Sequence, residues 1–323
     1  MAVITMREAI SQALWEEMER DPRVFILGEE VGVWGGTYAV TKGFYDHFGP
    51  DRVRDTPIAE GVIVGAANGA AMAGLRPVAE LMTINFAFLA MDQIVNHTAK
   101  LRSMFGGQFA VPIVIRTVGG GGRQLGATHS QTPDVVFAHF PGIKVVAPGT
   151  PADAKGLLKA SIRSDDPVLF IEHATLYQVR GEVPDGEVLE PIGVSKVQRP
   201  GRDVTIVTYS KMLQVSLLAA DQLAQQGIEA EIVDLRSLRP LDMTLAVDSF
   251  KRTNRAVVVE EGWLSYGVGA EVTARLYDQA FDYVDAPIRR VAQKEVPLPY
   301  NRTLEQMALP QVDDVIRAVK EVI

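Results

Sequence analysis

Short β-branched runs alternate with longer helical patterns along most of this chain, and that alternation leaves few architectures open. A helical pattern over residues 6–20 precedes VFILG at 24–28, and another over 60–74 precedes RPVAEL at 76–81. Residues 86–104 read as one long amphipathic helix, followed by the apolar strand PIVIRTV at 112–118. KVVAP (144–148), the helical PADAKGLLKASIR and PVLFIEH (167–173) continue the rhythm. Repeated βα units of this kind bury their strands in a mainly parallel sheet.

The rhythm lapses between about 174 and 202, where GEVPDGEVLEPIG and QRPGRD collect turn formers and charge. It restarts with DVTIVTYS, a helix through LLAADQLAQQG, EAEIVDLRS, a further helix, RAVVVEEG, PIRRVAQ and a C-terminal helix, VDDVIRAVKEVI. The pattern predicts two α/β domains, one over 1–185 and one over 203–323, joined by a linker at 186–202. The halves share a style and no sequence period.

A length of 323 residues suits two such domains. Composition narrows the function classes. With 32 basic and 40 acidic residues the net charge is −8, which argues against a general nucleic-acid or anionic-membrane binder. There is no cysteine, so disulfides, thiolate catalysis and cysteine-ligated zinc are excluded. Arg7 and Glu8 come too early for a secretory apolar core, and no apolar run approaches the ~20 residues of a spanning helix. The expected setting is the cytoplasm, with no membrane partner.

Four stretches are candidates for chemistry. In DTPIAEG (55–61), Pro57 and Glu60 suit a helix entrance, where a carboxylate opposes the positive end of the dipole. Gly65, Ala66 and Ala67 beyond it would let another chain pack closely. In MTINFAF (82–88), Phe86 and Phe88 stand at a strand-to-helix junction, as core residues or as a platform for a flat ring. Gly119 to Gly122 follow a strand, where phosphate loops sit. Gln124 breaks the dinucleotide fingerprint, and Ala127 stands where a nucleotide P-loop needs its lysine. The glycines are better read as a turn or a place of close backbone approach. His129, one of five histidines, lies in the following loop and is able to move protons near pH 7.

Taken in order, DTPIAEG, AAMAGLRPVAELMTINFAFLAMDQI, RQLGATHSQ, PGIKVVAPGTPADAKGLLKASIR and DLRSLRPLD make the chain similar to one family over essentially its whole length. It resembles the beta subunits of the thiamine-diphosphate-dependent 2-oxo acid dehydrogenases, most closely that of pyruvate dehydrogenase. The resemblance implies a transketolase-like fold, with a pyrimidine-binding parallel-sheet domain followed by a smaller C-terminal α/β domain. It gives Glu60 the contact to the cofactor's aminopyrimidine, Phe86 the stacking on that ring, and His129 a place beside the reacting thiazolium. A carboxyl on the pyrimidine nitrogen favours the imino tautomer that takes up the thiazolium proton. The cofactor then carries the decarboxylation of a 2-oxo acid.

No G-D-G metal motif occurs here. In this family it lies on an alpha subunit, so the resemblance implies magnesium held by that partner, a shared site, and a heterotetramer of two alpha and two beta chains. It also implies acyl transfer to a dihydrolipoyl acyltransferase core, docked through the C-terminal domain. A potassium site is implied at Ile113, Ser161, Ser164 and Asp166. GRQLGATHSQ looks like pyruvate enzymes, whereas Ile84 and Leu89 depart from that version. Branched-chain and acetoin-cleaving dehydrogenases are the alternatives within the fold, and a non-catalytic assembly subunit is the alternative outside catalysis. Glu60, Phe86 and His129 occurring together speak against the last.

Overall fold

The computed structural model describes residues 1–323 and divides into two units, one of residues 1–119 with 136–192, the other of 120–135 with 193–323.

In the first unit, β1 (Ala2–Thr5) leads into a helix over Met6–Arg20. Thr5 caps that helix: its hydroxyl accepts from the Glu8 N–H while the Glu8 carboxylate answers the Thr5 N–H, a reciprocal capping box. The strands β2 (Val24–Gly28), β3 (Val53–Asp55), β4 (Arg76–Leu81), β5 (Val114–Gly119), β6 (Lys144–Val146) and β7 (Val168–His173) pair in the order β6-β7-β5-β4-β2-β3. Every pair is parallel, and β2, β5 and β7 are buried along their whole length, as sheets covered on both faces must be. A second long helix, Pro151–Arg163, starts with Thr150 as cap and Pro151 in its first turn. Ile10, Leu14, Leu157 and Leu158 bury the facing sides of the two helices, each side chain worth about 1.5–3 kcal/mol. β8 (Arg180–Val183) closes the unit by pairing antiparallel with β1.

The stretch read as one helix from 86 to 104 differs. It is a 3₁₀ run over Ile84–Ala90, a π-helical run over Asp92–Thr98 and a single α turn over Leu101–Met104. The cause is local competition for one carbonyl. The Asn68 side-chain amide donates to the Gln93 oxygen at 3.2 Å, and the Thr98 hydroxyl donates to the same oxygen at 2.9 Å. That carbonyl is taken by side chains, and the helix widens around it.

In the second unit, β9 (Lys196–Arg199), β10 (Val204–Thr208), β11 (Ala230–Asp234), β13 (Ala256–Trp263) and β14 (Arg289–Gln293) form a sheet in the order β14-β13-β10-β11-β9; β12 (Ser237–Arg239) follows β11 in the chain. Only β9 is antiparallel, at an edge, and it comes from the stretch where the alternation had lapsed. A helix over Val268–Ala280, not expected from the sequence, follows β13. The expected C-terminal helix spans Val312–Lys320 and buries Val315, Ala318 and Val319 in the unit's core. No helix is long and apolar enough to cross a membrane.

Candidate active site

Ligands of open parallel sheets gather at the carboxyl ends of the strands, and in the first unit that is where the acids collect. β2 runs out at Gly28, whose missing side chain lets the Glu80 carbonyl approach: a Cβ there would sit 2.6 Å from that oxygen. Glu29 follows at once, and the Thr56 N–H donates back to Gly28 at 2.9 Å. Pro57 and Ile58 then turn the chain into the helix Glu60–Met72, of which Glu60 is the first residue. Ala59 offers no side-chain cap, so the acid stands alone at the positive end of the helix.

Glu60 is 4% exposed, yet no donor of its own chain hydrogen-bonds to its carboxyl. One oxygen of the neighbouring buried Glu29 is also without a partner. Burial, and next to it the negative charge of Glu60, push the Glu29 carboxyl above its ordinary range, with Glu80 and Glu30 adding to the push. Glu80 is likewise pushed up by burial, against the pull of Arg116.

Phe86 lies half-buried in the 3₁₀ turn Ile84–Ala90, which Thr83 caps through the Asn85 N–H. This turn packs against the Glu60 helix. A Cβ on Gly61 would lie 3.6 Å from the Leu89 carbonyl, and one on Gly65 would lie 3.2 Å from the Gln93 side-chain oxygen. The elements that carry Glu60 and Phe86 are thus neighbours. Phe88 instead stacks on Phe137, with ring centroids 6.1 Å apart. Of the small residues expected to face another chain, Gly65 meets Gln93 and Ala67 is buried; Ala66 remains exposed beside Val62.

His129 belongs to the second unit. Its ring is exposed, its Nδ1 lies 2.9 Å from the Thr128 hydroxyl, and its N–H donates to Gly126 at 3.2 Å. The loop that presents it is built from glycine for two reasons. Gly120, Gly122 and Gly126 have positive φ, and Gly121 has no room for a side chain beside Leu298 and Leu309. The amides that would cradle a phosphate are already engaged. Gly121 donates to Glu261 at 2.7 Å, Gly122 to Glu305 at 3.0 Å, and Gln124 to both Glu305 oxygens at 3.1 Å. Two carboxylates of the chain itself fill the concavity where a nucleotide's phosphates would lie.

Behind this loop sits an acidic cluster that the sequence did not single out. Asp134 is buried, and one of its oxygens has no partner. Burial, then the charge of Glu261, push its carboxyl up to about 7, against a hydrogen bond from Tyr209. Glu261 also accepts from the Thr132 hydroxyl at 3.2 Å and pairs with Lys211 at 3.4 Å. The one available signal was the pair Glu260-Glu261, two acids closing an otherwise apolar strand.

The residues considered for a monovalent cation have other partners. The Ile113 carbonyl accepts from the Val168 N–H at 3.0 Å, and the Ser161 hydroxyl donates to Leu157 at 2.6 Å. Ser164 Oγ and the Asp166 carboxylate share the ammonium of Lys144, each at 3.1 Å, and Arg102 also pairs with Asp166. Burial resists ionisation of Asp166, but Lys144 and then Arg102 hold its carboxyl below the usual range. A cation here would rest on backbone carbonyls. No group of three His, Cys, Asp or Glu side chains is arranged to hold a metal ion.

Residues 2–180 match the transketolase pyrimidine-binding domain, and residues 193–315 match the transketolase C-terminal domain. The chain is 49% identical over 321 residues to the mitochondrial pyruvate dehydrogenase E1 component subunit beta-2 of Oryza sativa subsp. japonica, covering 98% of this chain and 85% of that one. It is also 49% identical over 321 residues to the pyruvate dehydrogenase E1 component subunit beta of Rickettsia felis, covering 99% and 98%. A solved structure described as a split gene transketolase, inactive beta4 tetramer, superposes with a TM-score of 0.80 at 26% identity, over 99% of this chain and 98% of that one. Two matched domains spanning nearly all of its length, and relatives close to half identical over that same span, place the chain in the transketolase-like family of pyruvate dehydrogenase E1 component beta subunits.

Proposed function

We propose that the chain is the beta subunit of a pyruvate dehydrogenase (acetyl-transferring) component, which decarboxylates pyruvate oxidatively and passes the acetyl group to lipoyl groups of a dihydrolipoyl acyltransferase core. The observation that carries this reading is the carboxyl of Glu60, 4% exposed, at the head of a helix, with no donor of its own chain. A buried acid left unpaired is costly unless a ligand completes it.

Thiamine diphosphate, when bound, supplies the electron sink for cleaving a 2-oxo acid. Glu60 would hold the pyrimidine ring nitrogen by a hydrogen bond, donating to it when protonated and accepting from it once the proton has passed to the ring. Phe86, on the turn packed beside the Glu60 helix, gives that ring a face to stack on. His129, exposed on its loop, orients the incoming lipoyl group and handles protons during acyl transfer. Nothing in this chain fits magnesium or a diphosphate, because no group of three acids or histidines is arranged to hold a metal and the glycine-loop amides already hold carboxylates. Both are assigned to an alpha subunit, in a heterotetramer of two alpha and two beta chains. Potassium at Ile113, Ser161, Ser164 and Asp166 would draw on backbone carbonyls. The reading keeps a pyrimidine-binding domain over 1–185, a linker over 186–202 and a C-terminal domain over 203–323, in a cytoplasmic setting.

The test is coexpression with an alpha subunit, followed by decarboxylation assays on pyruvate and a branched-chain 2-oxo acid and a C–C cleavage assay on acetoin. Pyruvate should be turned over fastest, and the beta chain alone should turn over none. Preference for either of the other substrates redirects the assignment within the fold; inactivity on all three supports an assembly role.

A further inference from the structure

The hold on the glycine loop is chemically unusual. Glu305 lies in the short helix Arg302–Ala308, is 1% exposed, and has no cationic partner. All of its side-chain hydrogen bonds end on the loop amides of Gly122 and Gln124. Glu261, on β13, takes the amide of Gly121 in the same way. Leu298 and Leu309 press on Gly121 from the same side, so the loop backbone is fixed by packing and by charge together. A buried carboxylate balanced only by backbone amides is an expensive way to secure a turn, since an apolar side chain would pack there without desolvating a charge. What it adds is direction: two carboxylates fix where the amides of Gly121, Gly122 and Gln124 point. The loop runs straight on to Gly126 and to His129, whose N–H bonds back to Gly126.

We propose that Glu305, assisted by Glu261, is a positioning residue for His129, setting the backbone from which the imidazole meets the lipoyl group during acyl transfer. This rests on the reading that His129 serves acyl transfer. Glu305 does not touch substrate or cofactor; it acts through the loop.

The test uses the alpha–beta assembly with Glu305→Gln, His129→Ala and the double variant. Lipoyl-domain acylation (kcat and KM) is compared with decarboxylation measured by an artificial electron acceptor. Glu305→Gln turns one acceptor into a donor facing other donors. It should lower kcat for acylation by about 10- to 10²-fold, the loss that a displacement near 1 Å brings. KM for the lipoyl domain and acceptor-linked decarboxylation should stay within about twofold of the wild-type values. In the His129→Ala background the same change should cost nothing further, because residues acting through one another are not additive. Wild-type acylation by Glu305→Gln, while His129→Ala is impaired, overturns the proposal and leaves the role of His129 standing. Losses that multiply in the double variant overturn it as well. Wild-type acylation by His129→Ala removes the role of His129 itself, and the proposal with it. If Glu305→Gln does not assemble, Glu305→Asp, which keeps the charge but withdraws it by one methylene, carries the same expectation. Failure of both to assemble overturns the proposal in favour of a purely structural carboxylate.

Discussion

Gly121 and Leu298 meet so closely that a methyl group on the glycine would lie 2.6 Å from the leucine Cδ1, with Leu309 3.0 Å away on the same side. Gly121, unlike Gly120 and Gly122, has no positive φ, so the constraint on it is space alone. Gly121→Ala should therefore cost about 1–3 kcal/mol by overpacking, read from denaturant unfolding. Combined with Leu298→Ala, the penalty should shrink, since the leucine Cδ1 is the nearest atom the methyl strikes. Simple addition of the two costs would show that the contact is not the cause.

Glu60→Gln should abolish most decarboxylation while the assembly stays folded. General acid–base groups contribute on the order of 10²–10⁴-fold, and the loss should be at least at the lower end of that range. Melting temperature should not fall, because no hydrogen bond from the chain's own donors is lost at that carboxyl. Near-normal turnover with the alpha subunit present would return Glu60 to a helix-dipole role.

His129→Ala should slow acylation of a lipoyl domain more than it slows acceptor-linked decarboxylation. The side chain is exposed on a loop, the kind of position that binding residues commonly occupy. Equal, wild-type rates in the two assays would defeat the assignment.

Asp134 sets a pH dependence of stability. Burial, then the charge of Glu261, push the Asp134 carboxyl up to about 7, far above an ordinary aspartate, so the folded chain holds a proton that the unfolded chain has released. The stabilisation is complete below about pH 4 and is lost as the pH rises toward 7. Asp134→Asn cannot lose that proton, so its melting temperature should gain on the wild type between pH 5 and 7.5. About 1 kcal/mol moves a chain of this size by roughly 1–2 °C, within calorimetric reach. A constant difference across that range would show that Asp134 is ionised throughout.

The sheet of the first unit could be read in advance because its strands are continuous apolar runs and its helices carry clear start signals, such as Thr150-Pro151 ahead of Pro151–Arg163. The π-helical run could not, because it depends on Asn68 reaching a carbonyl 25 residues away. The helix Val268–Ala280 follows a loop that ends in Gly267 and lacks a side-chain cap to announce it. Glu60, Phe86 and His129 each stand out in the sequence by position, behind Pro57, at a strand-to-helix junction and after the glycine run, and only the family likeness gives them their expected roles. Glu305 does not, since its partner Gln124 lies 181 residues earlier, and nothing local in either segment marks the pairing. Asp134 was missed for the same reason: the acids that act on it come from β13.

Arg116 on β5 lies inside the first unit's sheet, paired with Glu80 of β4 and Glu172 of β7, and all three are largely shielded from water. A slip of one residue between neighbouring strands would turn the guanidinium or a carboxylate to the opposite face, stranding a charge among aliphatic side chains. The trio thus works as a proofreading device for folding. Apolar strands tolerate several alignments on hydrophobic grounds alone, and this one cation adds a charge penalty to each one-residue slip.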